Sequence, residues 1–484
     1  MGYILAIQLI WTALVKFLPL RVVYVAQVFI TAILFLGSFS YIPKVIHQKV
    51  IFQIKDYLFL DSLNILILTS LLFLVFCIAI YSIGYMKKEQ EQGLSEDKVK
   101  TFYMWKNLFV FCMSVVLVSN NFGIAWIAIE GTTLSTTFLI GFYNTKDAIK
   151  ASWQYIIICS FGIALGLFGV VTLYFATYHA LGEGMNSLNW INIIKISSNL
   201  DPSLLKISFA FFLVGFGTKA GLAPMHSWLP DAHSQAPTPI SALMSGVLLS
   251  SALYLILRLK AIVDSAGLVH FTSNLLLLVG MLSIFIAAIA IIGQKDYKRL
   301  LAFSSMEHMG LMAFAFGVGN RLGVFAGLLH LINHVFAKGL MFSSVGSVLV
   351  NFHTREISKI KGLYKSMPLT AVFITLGVLG ITGIPPFNIF ISEFLILTSA
   401  LDAHMYWQIV VVLLFLVMIF GGFIYLFSSM LMGKSDEVKK EDYKMLLPMA
   451  MLLGMMIYLG ITMPENMKIL LNNAVDILSN KGVL

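Results

Sequence analysis

The stretch Val214-Gly-Phe-Gly-Thr-Lys219-Ala-Gly-Leu-Ala-Pro224 puts a lysine near the end of an apolar run and follows it with two helix breakers, Gly221 and Pro224. The run before it begins near residue 204, and apolar windows like it recur along the chain. A helix needs about 20 mostly apolar residues to cross the hydrocarbon of a bilayer. Fourteen windows of that kind run from 1–19 to 444–463. Composition agrees, since 59% of the 484 residues are hydrophobic and 11% are charged, against about 25% charge in a soluble domain. The solvent of this surface is lipid. The expected fold class is an all-α polytopic membrane protein of about 14 transmembrane helices.

Two places complicate the count. The fourth and fifth windows are separated only by Asn120, and the twelfth, 367–400, is interrupted by Gly383, Pro385 and Pro386. The stretch 1–18 reads as a retained first span, with a cleaved signal as the alternative. Residues 464–484 mix Glu465, Lys468 and Asp476 with leucines and are expected along the interface. Gly221-Leu-Ala-Pro224 in the seventh window resembles Gly383-Ile-Pro-Pro386 in the twelfth. Broken helices at matching positions of two halves point to an ion site at a repeat interface. Five spans lie from the fourth to the eighth and five from the ninth to the thirteenth. An odd number per unit forces opposite orientations, so two inverted five-helix repeats with discontinuous helices 7 and 12 are expected. The division is 1–101, then a first half-channel at 102–265, a second at 266–432, and a last helix with a short tail at 433–484.

Basic residues set the orientation. Nineteen of the 32 Lys and Arg fall in odd-numbered loops when Lys106 is counted with its loop, ten fall in even loops and tails, and Lys16, Lys219 and Lys338 lie inside spans. Positive charge prefers the cytoplasmic side, so both termini are expected outside, in a multi-pass protein of the cell membrane.

An ionisable residue at bilayer depth costs about 2.5 kcal/mol or more, so it requires a partner or a wet cavity. Glu130 sits mid-span, followed by Gly131, Thr132, Thr133, Ser135, Thr136 and Thr137, which let helices approach and can hold a hydrogen-bond chain. The competing reading is a protonated Glu that only glues helices. Lys219 beside a broken helix end is a switchable proton site if a carboxylate can approach it, or a fixed ion bridge if the pair is permanent. His330, His334 and Lys338 share one helical stripe in the eleventh span, which reads as a proton relay or as satisfied core histidines. Two His at that spacing also suit zinc, but no third ligand is evident and no metal is assigned. Glu307 and His308 stand at the relay's cytoplasmic mouth or at a solvated helix end. Glu393, beyond the break of the twelfth span, is a terminal proton acceptor or a lid charge. Asp61 reads as a helix-terminal charge outside the relay.

Other chemistries are disfavoured. Cys77, Cys112 and Cys159 all lie in apolar runs with no paired spacing, so clusters and disulfides are not expected. There is no Gly-rich nucleotide loop or nucleophile constellation, so no redox chemistry and no cofactor are expected in the chain itself. The net charge of +9 comes without a basic cluster interleaved with aromatics, so no nucleic acid is expected. His226, Asp231 and His233 could suggest a metal, but the prolines around them favour a broken-helix connection.

The segment Gly217-Thr-Lys-Ala-Gly-Leu-Ala-Pro-Met-His-Ser-Trp-Leu-Pro-Asp-Ala-His-Ser-Gln-Ala-Pro-Thr-Pro239 resembles the signature of the proton-conducting antiporter-like subunits. That family serves respiratory complex I, multisubunit sodium/proton antiporters and membrane-bound hydrogenases. The resemblance runs from about Asp61 to about Met432. Residues 126–133, Ala151-Ser-Trp-Gln-Tyr-Ile and Ser241-Ala-Leu-Met-Ser-Gly-Val-Leu-Leu look most like the hydrogenase-4 type membrane subunit. The resemblance implies that Glu130 and Lys219 pair in the first half-channel, that Lys338 is the central lysine with His330 and His334 beside it, and that Glu393 is the charged residue of the second broken helix. It further implies proton or sodium translocation within a complex that includes other membrane subunits and a peripheral redox module of hydrogenase or complex I type. A multisubunit cation/proton antiporter, an inorganic-carbon uptake system and a structural scaffold are the alternatives. Three departures stand out. Leu249-Ser-Ser-Ala replaces a lysine common in the eighth span, Gln154 replaces one in the sixth, and the long lateral helix of the distal complex I subunit is not expected.

Overall fold

The computed structural model describes residues 2–435 and 437–479, the side chain of Met185 excepted. Residue 1 and residues 480–484 of the tail expected at the interface lie outside the described residues. The chain opens with α1 (Gly2–Leu14), α2 (Leu20–Phe39) and α3 (Ile42–Gln48). A hairpin of β1 (Ile51–Gln53) and β2 (Leu58–Leu60), antiparallel with Phe52 opposite Phe59, leads into α4 (Ser62–Glu91). Asp61 caps α4, its carboxylate accepting from the Leu63 and Asn64 amides, and Asn64 reaches back in a capping box.

Next come α5 (Glu96–Val118), α6 (Phe122–Ile140), α7 (Lys146–Leu181), α8 (Trp190–Ile196), α9 (Pro202–Lys219), α10 (Leu229–Gln235), α11 (Thr238–Leu243) and α12 (Leu249–Ser265). Ser119, Asn120 and Asn121 separate α5 from α6, and the Asn121 side chain caps α6. A π-helical turn at Met244–Leu248 joins α11 to α12. Then follow α13 (Val269–Ile292), α14 (Tyr297–Val318), α15 (Arg321–Phe352), α16 (Leu363–Ser366), α17 (Pro368–Ile381), α18 (Asn388–Asp402), α19 (Tyr406–Leu431), α20 (Tyr443–Ile461) and α21 (Glu465–Leu478).

Among the described residues, eleven helices are long and apolar enough to cross a membrane by length and composition. The three sequence windows outside that set have physical reasons. The first helix has 13 residues, or about 20 Å at the usual rise, which is short for the hydrocarbon. The seventh window ends at its break, after an 18-residue helix that carries Lys206 and Lys219 and is too polar for that set, and the twelfth is split into α17 and α18. α14 and α15 are buried along nearly their whole length. By contrast α7 and α19 carry exposed Phe161, Phe168, Phe175, Trp407, Val410 and Val417 on outward faces, as lipid-facing helices do.

The two breaks share one backbone. Gly221 and Gly383 both sit at φ +70°, and each is followed three residues on by a cis proline, Pro224 or Pro386. The Leu222 amide donates to the Gly217 carbonyl and that of Gly221 to Thr218. The Ile384 amide likewise donates to Leu379 and that of Gly383 to Gly380. This is the glycine-ended closure that satisfies the last carbonyls of a helix. A left-handed residue is needed at that point, and glycine adopts it without a Cβ clash.

Small residues decide which helices lie closest. The Gly215 backbone of α9 packs on Gly166 of α7, and Gly280 of α13 packs on Gly310 of α14. Such contacts let membrane helices approach where no hydrophobic force between them exists.

Candidate functional site

Two polar constellations lie inside the helix bundle. In the first, Lys219 closes α9, fully buried. Its Nζ donates to the Tyr155 hydroxyl of α7 at 2.7 Å and lies over that ring, 4.7 Å from its centroid. The Tyr155 oxygen is also 2.6 Å from Thr136 Oγ1 of α6. Glu130, half-buried on α6, accepts from Thr133 Oγ1 and from Ser160 Oγ of α7, both at 2.9 Å. Among the described residues no ion pair joins Glu130 to Lys219. The two act on each other electrostatically, with Tyr155 and the hydroxyls of α6 and α7 between them. The carbonyls freed at the break do not serve the ammonium. Trp228 Nε1 takes that of Thr218 at 2.8 Å, and the backbone closure takes that of Gly217.

The second constellation is denser. Lys338 of α15 is fully buried and donates to Ser304 Oγ at 2.8 Å and to the Leu301 carbonyl at 3.1 Å, both on α14. Glu307 lies within electrostatic reach of Lys338, and its Oε2 is 3.4 Å from His308 Nε2. His308 Nδ1 faces His330 Nε2 at 3.0 Å, so one of these nitrogens carries the shared proton. His330 Nδ1 in turn meets Ser392 Oγ of α18 at 2.9 Å. Asn333 Nδ2 donates to that hydroxyl and to the Asn388 carbonyl. Glu393, half-buried, lies with His308 and His330 in a group whose ligand atoms are all within 4.8 Å of one another. The His334 ring is 5.3 Å from that of His308, and neither of its nitrogens has a hydrogen bond.

Glu307 and His308 do not stand at a solvated helix end. They are buried mid-way along α14 and connect Lys338 to the α15 histidines. Periodicity along one helix could not show this, because the link crosses between two helices. The third ligand-type residue absent from the α15 pattern also comes from elsewhere, on α14 and α18.

The remaining sequence candidates scatter. His233 is fully buried, stacked on Phe342 at 5.3 Å, with both nitrogens unpartnered, and it is within electrostatic reach of Lys338. Asp231 pairs with Arg299, and His226 sits in the connection after the first break. Ser250 and Ser251, in the stretch expected to depart from the family's lysine, turn back to the carbonyls of their own helix. It is Ser245, in the π-helical turn, that bridges to Ser305 at 2.6 Å, beside the serine that holds Lys338. A π-turn often marks such a functional position.

Sequence reasoning missed Tyr155, Ser160, Ser304 and Ser392, because a hydroxyl in an apolar run carries no signal of its own. Lys106 was counted with a loop, yet it lies within α5, fully buried, its Nζ 4.6 Å from the Tyr103 ring centroid and without a hydrogen-bond acceptor. Asp61 is bound bidentately by Arg258, at 2.7 and 2.8 Å, in a cage of Phe59, Trp190 and Tyr254. It stands apart from both constellations.

Residues 119–419 match the family profile described as NADH:quinone oxidoreductase/Mrp antiporter, TM, and residues 51–94 match NADH-Ubiquinone oxidoreductase (complex I), chain 5 N-terminus. The chain belongs to this family. It is 41% identical over 346 residues to the Hydrogenase-4 component F homolog of Methylacidiphilum infernorum (isolate V4), covering 71% of this chain and 73% of that one. It is 32% identical to Hydrogenase-4 component B of Escherichia coli (strain K12), over 69% of this chain and 49% of that protein, so it spans about half the length of that relative. A subunit of the membrane-bound sulfane sulfur reductase, an archaeal respiratory membrane complex, superposes with a TM-score of 0.88 at 24% identity, covering 99% of this chain and 97% of that one. That likeness concerns the fold. The antiporter-family chain is thus a multi-span, antiporter-like membrane subunit of hydrogenase, Mrp antiporter or complex I type.

Proposed function

We propose that this chain translocates protons, or sodium coupled to them, as a subunit of a hydrogenase-like membrane complex. Its relay runs through Glu130, Lys219, His330, His334, Lys338 and Glu393, with Glu307 and His308 as connecting members. The observation that carries the reading is the cluster in which Lys338, held by Ser304, acts electrostatically on Glu307, Glu307 stands beside His308, and His308 leads through His330 to Ser392, with half-buried Glu393 close to both histidines. Its hydrogen-bonded links are 2.8–3.0 Å, and the Glu307–His308 contact is 3.4 Å. A set of titratable groups that spans three helices costs too much in lipid to be retained for packing alone. Redox energy released in a peripheral module would alter the Glu130–Lys219 interaction, with Tyr155 as the bridge whose proton sharing changes. His233 and the Ser245–Ser305 contact would pass the change to Lys338.

The architecture that suits this reading has fourteen spans and two inverted five-helix units, 102–265 and 266–432, after an N-terminal section 1–101 and before 433–484. The shared backbone of the two breaks supports it, as does one ionisable group at each break, Lys219 before the first and Glu393 after the second. Both termini would face outward. Replacing Lys219 by Ala should leave assembly intact and lower coupled ion translocation at least tenfold. Unchanged translocation would remove the relay from consideration.

The family profile also names Mrp antiporters, and this supports a second reading as a subunit of a cation/proton exchanger without redox partners. A pull-down of the tagged chain in mild detergent separates them. A hydrogenase module among the partners supports the redox-driven pump, and small membrane subunits alone support the exchanger.

A further inference from the structure

We propose that His308, His330 and Glu393 form a binding site for one divalent transition metal of the zinc class, whose occupation closes the second ion path. The site claim rests on geometry alone, and the closure rests on the relay reading above. Among the described residues this is the one group of three His, Cys, Asp or Glu whose ligand atoms come within mutual reach, all within 4.8 Å. His308 Nδ1 and His330 Nε2 already face each other at 3.0 Å. In a tetrahedral zinc site with bonds of about 2.0–2.2 Å, ligand atoms stand roughly 3.4 Å apart. The two rings therefore need only a slight opening, with the metal replacing the proton they share.

One of the two histidines already has the outer contact that a metal-bound imidazole requires. Ligating imidazoles donate their other N–H to a carboxylate, carbonyl or hydroxyl that fixes tautomer and orientation. His330 has Ser392 Oγ at 2.9 Å for this purpose, and Asn333 holds that hydroxyl at 3.1 Å. His308 Nε2 makes no hydrogen bond, but the Glu307 carboxylate stands 3.4 Å away, close enough to take it up with a small side-chain shift. The three ligands come from α14, α15 and α18, so the metal would tie three elements together. Two nitrogens and one carboxylate oxygen suit zinc, cobalt or nickel and not magnesium or calcium, which take oxygen sets. A fourth position is left for water. Glu393 and Glu307 offset the metal's charge, and the Lys338 ammonium opposes it. The site lies close to the second break, where Pro385 and Pro386 are exposed and Glu393 is half-buried.

The test is zinc titration of the purified full-length chain in detergent against a chromophoric chelator, with cobalt(II) absorption to read the ligand geometry. The expected result is one zinc per chain at this site, unaffected by excess magnesium. Glu393→Gln, which keeps the side-chain volume, should weaken binding at least tenfold, and Glu307→Gln about tenfold as an outer-contact loss. His404→Gln, at an exposed histidine, should leave the isotherm unchanged. Wild-type binding in both Glu393→Gln and His330→Gln would overturn the site. In reconstituted complex, zinc should block translocation at the concentration that fills the site. Full occupancy with undiminished translocation would keep the metal site and overturn the closure, and with it the relay.

Discussion

At the scale of single residues, Tyr155 is the side chain on which the first constellation depends. It receives the Lys219 proton donor and touches Thr136 with one oxygen. Tyr155→Phe keeps the ring beneath the ammonium but leaves Lys219 with no hydroxyl acceptor, at a cost of about 1–3 kcal/mol for a buried donor left unsatisfied. Coupled translocation should fall about tenfold, with normal subunit stoichiometry on a native gel. Wild-type translocation in this variant would show that Lys219 and Glu130 communicate by another route. Asp61 makes the opposite case. Removing one partner of a buried ion pair costs about 3–5 kcal/mol, so Asp61→Ala should lower the melting temperature in detergent markedly. The complexes that still assemble should translocate at the wild-type rate, since the Arg258 cage touches neither constellation. The charged members of the two constellations are legible in the sequence because lipid makes an ionisable group conspicuous. Their hydroxyl partners are not, since a threonine or serine satisfied by its own helix looks the same in sequence as one that bridges two helices. Lys106 shows the limit from the other side. A lysine near a charged segment looks like loop until the length of α5 is known.

At the scale of elements, the two breaks carry the argument. Gly383 lies at φ +70°, and a Cβ there would run into the Glu393 carboxylate. Gly383→Ala should both strain the turn, by about 1–2 kcal/mol for a left-handed L-residue, and displace Glu393 from the histidines. Gly267→Ala supplies the control, since that glycine has φ +82° but open space around it. Similar destabilisation in the two variants, with translocation lost only in Gly383→Ala, is the expected pattern in a paired melting and flux assay. Equal loss of flux in both would mean that strain alone, and not the position of Glu393, governs transport. The breaks themselves were readable as Gly-x-x-Pro at two places, because few residues can end a helix inside a bilayer. The π-helical turn at Met244–Leu248 was not readable, since no residue type demands it. Nor could a stripe on α15 reveal that its partners stand on α14 and α18. Period gives the face of one helix and says nothing of what packs on it.

At the scale of the whole molecule, the chain is a membrane protein of the antiporter-like family, with outward faces for lipid and for neighbouring subunits. On the proposed function, α14, α15 and α18 together carry the ion path past Lys338, Glu307 and the histidines. The measurement that tests it most directly is ion flux through the assembled complex in proteoliposomes carrying Lys338→Met, with partner activity recorded in parallel. Methionine fills much of the lysine's volume and removes both contacts to α14, to Ser304 and to the Leu301 carbonyl. The account predicts a complex of normal composition whose flux drops at least tenfold. A correctly assembled complex with wild-type flux would contradict it.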